Sequence, residues 1–140
     1  MNNFNITHLT KSILALEVVI SAYKTYAQSE FINFIEDSCV KRFEFTVEIS
    51  WKTMKKFLKE FYGKTDKELT MNTIFRLMQG YGYIASWEKW REYYNLRNDT
   101  SHDYSQAKAT KILEVLEIFI ADVKFLAENL EKEINKCNQV

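Results

Sequence analysis

The chain has no proline and three glycines, so it holds few residues that interrupt a helix. It has two cysteines, Cys39 and Cys137, which are too few and too far apart for a disulfide framework or a zinc cluster. We therefore expect no metal site, and no motif indicates a cofactor. No apolar run is long enough to span a bilayer, and Met1 to Lys11 lacks the apolar centre of a signal peptide. These absences favour a cytoplasmic protein without a membrane partner.

The charge of the chain is balanced overall but uneven along its length. The formal net charge is zero, which excludes a strong general attraction to nucleic acid or anionic lipid. One region is nevertheless rich in lysine: Lys52, Lys55, Lys56, Lys59, Lys64 and Lys67. This region is either a local basic face for RNA or the solvated side of a helix.

Apolar residues recur at intervals of three and four along most of the chain, which is typical of amphipathic helices. With 46% apolar and 27% charged residues over 140 positions, we expect a single folded domain, residues 1–140. The class expected is all-α, an up-and-down bundle of four to five helices. The predicted helices are one over residues 8–27, one from the N-cap Ser29 to Gly63, one from the cap Thr70 to Gly80, one after Ser86 and one after the cap Ser105.

The second helix has more apolar surface than one packing seam requires. Phe34, Phe45, Ile49 and Trp51 lie off its main apolar stripe, so bulky residues point in several directions. A helix of this kind is buried from several sides. We therefore expect a homodimer, in which a second copy supplies the additional contacts.

The segment 97–104 concentrates the chemically active side chains of the sequence. Arg97 and His102 are separated by residues 98–101, which form helix poorly, so we expect the helix to end or loosen there and both side chains to reach one cleft. A guanidinium can bind a phosphate through a fixed fork of donors, and an imidazole exchanges protons near neutral pH. The pair predicts binding or cleavage of a phosphodiester.

Two runs in this order resemble one known group of proteins. They are Phe-Glu-x-x-x-Glu-x-x-Trp-Lys at 43–52 and Arg-x4-His-x-Tyr at 97–104. Together they are similar to HEPN-domain proteins, once called nucleotidyltransferase substrate-binding proteins and now often seen as HepT-type toxins. The chain lacks the Pro-Arg pair that often opens the third helix in that group, so the role of residues 64–84 is left open.

The resemblance implies a helical-bundle homodimer that cuts RNA without a metal. It implies that Arg97 and His102 are catalytic, and that the two copies of the motif form a composite cleft. It also implies a partner, a small nucleotidyltransferase that silences the toxin by adding AMP to Tyr104.

Three further residues are candidates for supporting roles. Asn98 either orients the phosphate or, as its type favours, shapes the turn. Glu44 and Glu48 either belong with Lys52, at intervals of four residues, to a surface ladder of charges, or support Arg97.

Tyr93 and Tyr94 either stack on RNA bases or belong to the core, and an aromatic helix favours the core.

Three functions remain open at this stage. The first is an endoribonuclease toxin, and the second is a non-catalytic subunit that binds a nucleotide or substrate for a nucleotidyltransferase. The chain is not itself the transferase, since it has no Gly-Ser loop followed by paired aspartates. The third, a purely structural bundle, leaves the polar segment 97–104 unexplained.

Overall fold

The computed structural model describes residues 4–99 and 106–138. Over these two ranges the chain forms five α-helices and no β-strand, which confirms the all-α prediction. The helices are α1 (Thr7–Thr25), α2 (Ile32–Tyr62), α3 (Met71–Gly80), α4 (Trp87–Asp99) and α5 (Gln106–Asn138). The predicted cap Ser105 lies outside the described residues.

Local signals set the ends of three helices where the sequence placed them. Gly63 ends α2 in the left-handed conformation, with φ of 65°, which a residue without Cβ adopts freely. Thr70 and Ser86 begin α3 and α4. Each side-chain oxygen accepts a hydrogen bond from the backbone N–H three residues later, at 3.3 Å and 3.2 Å respectively.

The predicted cap at Ser29 is wrong. Helix α2 begins at Ile32, and Phe31 occupies the N-cap position without a side-chain hydrogen bond. The hydroxyl of Ser29 instead accepts from the N–H of Phe31, at 3.0 Å. That bond closes a tight turn from Ser29 to Phe31. The serine therefore stabilises the connection between α1 and α2 and does not cap α2.

Helix α1 is antiparallel to both of the other long helices: to α2, and to α5, where Lys24 pairs with Glu117 and Glu17 pairs with Lys124. Ser12 of α1 and Thr46 of α2 are buried against each other, with their hydroxyl oxygens 2.6 Å apart. Near the other end of α1, the thiol of Cys39 donates to the carbonyl of Val19, so the two helices are antiparallel. Lys124 of α5 lies 2.8 Å from a carboxylate oxygen of Glu17, which fixes α5 beside α1.

Aromatic rings fill the centre of the bundle where α2, α4 and α5 meet. The rings of Phe43 and Phe119 are 4.9 Å apart, and the ring of Tyr93 lies 4.9 Å from that of Phe119. Trp90 packs edge-on against Tyr93 at 5.5 Å, and all four side chains are buried. Burial of rings of this size stabilises the bundle and fixes one face of α4 against the core.

The apolar residues off the main stripe of α2 divide into two pairs. Phe34 and Phe45 are 70% and 63% exposed, so both side chains are accessible for contact with a second copy. Ile49 and Trp51 are half-buried and pack against the core of their own chain. The homodimer therefore remains a prediction that rests on Phe34 and Phe45.

Candidate functional site

Arg97 lies in the last turn of α4 and faces the middle of α2. Its Nε is 3.2 Å from Oε2 of Glu48, and each of the two side chains is 29% exposed. Tyr93 precedes Arg97 by one helical turn and is held in the core, so the helix places the guanidinium at the boundary between core and solvent. A half-buried cation at a helix edge can reach a ligand in solvent while its position stays fixed.

Glu48 lies beside two cations and one hydrogen-bond donor. Besides the ion pair with Arg97, the indole Nε1 of Trp51 donates to its Oε2 at 3.0 Å, and Nζ of Lys52 lies 3.1 Å from its Oε1. Burial raises the pKa of Glu48. The hydrogen bonds from Lys52 and Trp51 and the charges of Lys52 and Arg97 lower it by a larger amount, so the net shift of the pKa is downward. The carboxylate is therefore ionised at neutral pH, and it partly neutralises the two cations beside it.

Aromatic rings support this arrangement from α3 and α4. Trp51 packs edge-on against Tyr94, with ring centroids 6.4 Å apart, and Tyr94 packs against Phe75 at the same distance. These contacts hold the indole in the orientation that its hydrogen bond to Glu48 requires. The sequence predicted no role in the site for Trp51, which entered only as apolar surface and as part of the run at 43–52, although its position three residues after Glu48 on one helix is a signal.

The structure brings Glu48, Lys52 and Arg97 together, and the role of Glu48 as a support for Arg97 stays a prediction. Glu44 is half-buried one turn earlier on α2, and Asn98 is exposed next to Arg97. The predicted catalytic residue His102 and the predicted modification site Tyr104 lie outside the described residues. Their convergence with Arg97 stays a prediction.

Tyr93 belongs to the core. It is 1% exposed, and its hydroxyl donates to Oδ2 of Asp122 at 2.5 Å, so base stacking is the wrong interpretation for it. Burial and the bond to Asp122 raise the pKa of the phenol well above its ordinary value, so the group stays protonated. Tyr94 is half-buried between Trp51 and Phe75, as the core interpretation also expected.

Within residues 4–99 and 106–138, no group of three or more His, Cys, Asp or Glu side chains is placed to hold a metal ion. Nor is any helix in those ranges both long and apolar enough to cross a membrane.

Comparison with known families identifies the chain. The model of the family described as "nucleotidyltransferase substrate binding protein like" matches residues 4–132. The chain belongs to this family. The match includes all of α1 to α4 and most of α5, so the Glu48–Arg97 pair lies inside the family domain.

The chain is also similar to one named protein and to one solved structure. A "Probable ribonuclease HepT" of Haemophilus influenzae is 34% identical over 95 residues, which is 66% of this chain. The matched part spans 65% of that relative's length. A solved structure from Haemophilus influenzae, described as the fold of a substrate binding domain of a nucleotidyltransferase, superposes with a TM-score of 0.81 at 28% identity. That superposition covers 91% of this chain and 99% of the solved one.

Proposed function

We propose that this protein is the endoribonuclease toxin of a toxin–antitoxin pair, with Arg97 and His102 as its catalytic residues. The observation that carries the proposal is the placement of Arg97. Its guanidinium is held at the solvent edge of α4 by the ionised Glu48, five residues before His102 in a member of this family. The similarity to a protein named as a probable ribonuclease supports the same activity.

The chemistry follows from these two side chains and from RNA itself. Each ribose carries a 2′-hydroxyl beside its phosphate, so the substrate supplies its own nucleophile and no metal-bound water is needed. In the proposed reaction the 2′-oxygen bonds to phosphorus, the bond from phosphorus to the 5′-oxygen breaks, and His102 takes or returns the transferred proton. Arg97 binds the non-bridging oxygens as negative charge builds there. The products are a 2′,3′-cyclic phosphate and a 5′-hydroxyl.

Silencing by a partner nucleotidyltransferase completes the proposal. The partner adds AMP to Tyr104, two residues from His102. The added nucleotide places bulk and a negative phosphate beside the imidazole, which blocks the cleft and repels the phosphates of a substrate.

A homodimer would bring two such sites together. Phe45 is 63% exposed and precedes Glu48 by three residues, so the two side chains lie on the same side of α2. A second copy that covered Phe45 would therefore approach the Glu48–Arg97 pair. This supports a composite cleft between the two protomers.

One substitution pair tests the nuclease, because the chain has only two histidines. His8 is exposed near the start of α1, and His8→Ala is the matched control for His102→Ala. With a single-stranded oligoribonucleotide, we expect the wild type and His8→Ala to release products ending in a 2′,3′-cyclic phosphate. We expect His102→Ala to be slower by about 100-fold or more. Cleavage that is absent from the wild type, or equal in His102→Ala, contradicts the proposal.

The second candidate is a non-catalytic subunit that binds substrate for a nucleotidyltransferase. The description of the family and that of the solved structural relative favour it. It becomes the better explanation if the wild type associates with the neighbouring transferase but cuts no RNA.

A mass measurement tests the modification site. After incubation with the partner transferase and ATP, the intact mass of the wild type should rise by one or more AMP units. Tyr26→Phe, which changes an exposed tyrosine at the end of α1, should gain the same mass, and Tyr104→Phe should gain none. An equal gain in Tyr104→Phe would show that AMP is attached elsewhere.

A further inference from the structure

The second half of α2 carries a row of lysines that begins beside the candidate site. Their spacing of three and four residues places them on one side of the helix, the side of Glu48. With Trp51 and Glu60 they line a depression of about 500 Å³. The lysines are Lys52, Lys55, Lys56 and Lys59.

Acidic neighbours hold most of this row in place without covering it. Lys59 and Lys55 lie 3.0 Å and 3.4 Å from Oδ1 of Asp66, in the loop after α2. The side chain of Asp66 is 68% exposed, and such surface pairs contribute little free energy. An ammonium group has three donors, so a phosphate can bind these lysines beside Asp66 or in its place.

The far end of the row is aromatic. Tyr62, three residues after Lys59, stacks face to face on Tyr81, with centroids 4.0 Å apart and ring planes 8° apart. The hydroxyl oxygens of Tyr62 and Tyr83 lie 2.8 Å apart, so Tyr62 is held at both its ring and its hydroxyl. Tyr81 remains 41% exposed. Its ring is therefore oriented before any ligand arrives, and part of its surface is free to stack.

We propose that this surface, from Arg97 along the lysine row to Tyr81, is a track for single-stranded RNA. The proposal rests on the ribonuclease function proposed above and adds to it the path of the substrate. From Glu48 to Tyr62 the track spans 14 residues of helix, or about 21 Å. Phosphates follow the lysines and a base stacks on Tyr81, the combination by which proteins bind single strands without reading their sequence.

Charge and shape favour a single strand over a duplex. An RNA duplex is recognised mainly by its shape, over about 16 base pairs by known modules, and its bases are already stacked on each other. A row of this length with one aromatic ring at its end offers a duplex little contact. A single strand can use both parts.

Binding measurements can separate the two parts of the track. The probe is a short, fluorescein-labelled 2′-O-methyl oligoribonucleotide, which has no free 2′-hydroxyl and is not cleaved. For Lys55→Ala/Lys59→Ala we expect a Kd about ten-fold higher. The logarithm of the association constant falls linearly with the logarithm of the salt concentration. The slope of that line should be less negative by about 1.4, since two phosphate contacts are lost. The control, Lys132→Ala/Lys136→Ala, removes two exposed charges from α5 and should bind as the wild type does.

The aromatic end has a different signature. Tyr81→Ala should raise the Kd about ten-fold without a change in salt dependence, and Tyr81→Phe should restore binding, because stacking needs the ring and not the hydroxyl. Thermal unfolding of each variant checks that the fold is intact. The track is wrong if the wild type does not bind the probe, or if the lysine variants bind it as tightly as the α5 control does. It is also wrong if the lysine variants bind RNA normally and lose only their binding to the partner transferase.

Cleavage assays distinguish failure of the track from failure of the nuclease. Row variants should cleave a dinucleotide as fast as the wild type but a longer strand about ten-fold more slowly. If cleavage depends on His102 but the row variants cleave long strands normally, the track is wrong and the nuclease stands. If nothing is cleaved but probe binding still depends on the row, the nuclease is wrong and the track stands.

Discussion

Nε of Arg97 lies 3.2 Å from Oε2 of Glu48, and this ion pair joins the last turn of α4 to the middle of α2. The same carboxylate oxygen accepts a hydrogen bond from the indole of Trp51. The pair therefore has two consequences that can be measured separately: it contributes to the stability of the bundle, and it sets the position of the guanidinium.

The first prediction concerns stability against acid. The pKa of Glu48 in the folded protein is below its ordinary value of 4.5, so the carboxylate contributes stability above that pH, and the contribution is lost as the pH falls through the folded pKa. Glu48→Gln should therefore lower the free energy of unfolding at pH 7 by about 1 kcal/mol. Urea titrations should show the difference from the wild type shrinking below about pH 4.5.

The control for this prediction is Glu17→Gln. Glu17 also forms an ion pair between helices, with Lys124, but that pair is more exposed. We expect a change within about 0.5 kcal/mol. Equal losses for the two variants, or a difference for Glu48→Gln that grows in acid, would contradict the prediction.

The second prediction concerns the position of Arg97. If Glu48 orients the guanidinium, Glu48→Gln should lower kcat for RNA cleavage about ten-fold and change KM little, because orientation matters most in the transition state. Stopped assays over a range of substrate concentrations separate the two constants. Trp51→Phe keeps the ring against Tyr94 but removes the N–H donor to Glu48, and a smaller loss in kcat is expected. A rise in KM alone would assign Glu48 to substrate binding.

The third prediction concerns the hydrogen bond of Tyr93 to Asp122. Tyr93→Phe leaves the carboxylate without its donor, so the free energy of unfolding should fall by about 2 kcal/mol at pH 7. The pKa of this phenol is raised above its ordinary value of 10.0 by burial and by Asp122. Its contribution is therefore complete below pH 10 and is lost as the pH rises further, a loss that Tyr93→Phe should not show.

Tyr94→Phe is the matched control, since the neighbouring ring is only half-buried and packs against Trp51 and Phe75. Its stability should differ from the wild type by less than about 0.5 kcal/mol. If Tyr94→Phe costs as much as Tyr93→Phe, the difference in burial does not determine the effect.

The fourth prediction concerns the exposed apolar side of α2. Phe45→Asp places a charge on a side chain that is 63% exposed, so the helical content should stay unchanged. In the proposed homodimer the same charge would be desolvated, and light scattering should then show the mass of one chain instead of two. Phe45→Leu keeps the apolar contact and should remain dimeric. A wild type that is already a monomer would contradict the proposed homodimer.

The fifth prediction concerns the two thiols. Cys39 is buried, and burial with the nearby Glu36 raises its pKa to about 11, whereas Cys137 is exposed. Iodoacetamide reacts with the thiolate, so at pH 8 the folded protein should gain one label by mass spectrometry, and two after unfolding in urea. Folded Cys137→Ser should gain none, and rapid labelling of that variant would show that Cys39 is accessible.

The helices could be predicted because their signals are local. A glycine in the left-handed conformation ends α2, and the hydroxyls of Thr70 and Ser86 cap the helices that follow them, so each signal acts within a few residues of itself. Ser29 was misassigned for the same reason. Its hydroxyl can bond the amide two or three residues later, and only the path of the α1–α2 connection decides between them.

The site could be predicted only in part, because it depends on how two helices lie against each other. The sequence places Glu48 and Lys52 on one side of α2, but their contact with Arg97 requires α4 to cross α2 at one particular level. Likewise Tyr93 and Tyr94 are neighbours in an aromatic segment, and the packing of α4 determines which of them is buried. The residue types indicated the chemistry of the site, but only the tertiary structure shows which side chains contact each other.

The buried hydroxyls of Ser12 and Thr46 affect which alignment of α1 and α2 is allowed. The hydroxyl hydrogen of Thr46 goes to the carbonyl of Arg42, at 2.7 Å, so Ser12 must donate to Thr46. If α1 slid along α2, apolar side chains would find new apolar neighbours at small cost, but the hydroxyl of Ser12 would lose its hydrogen bond to Thr46, and a buried hydroxyl without a partner costs free energy. The hydrogen bond between these two small side chains therefore specifies the register of α1 against α2, which the apolar surfaces alone would leave open.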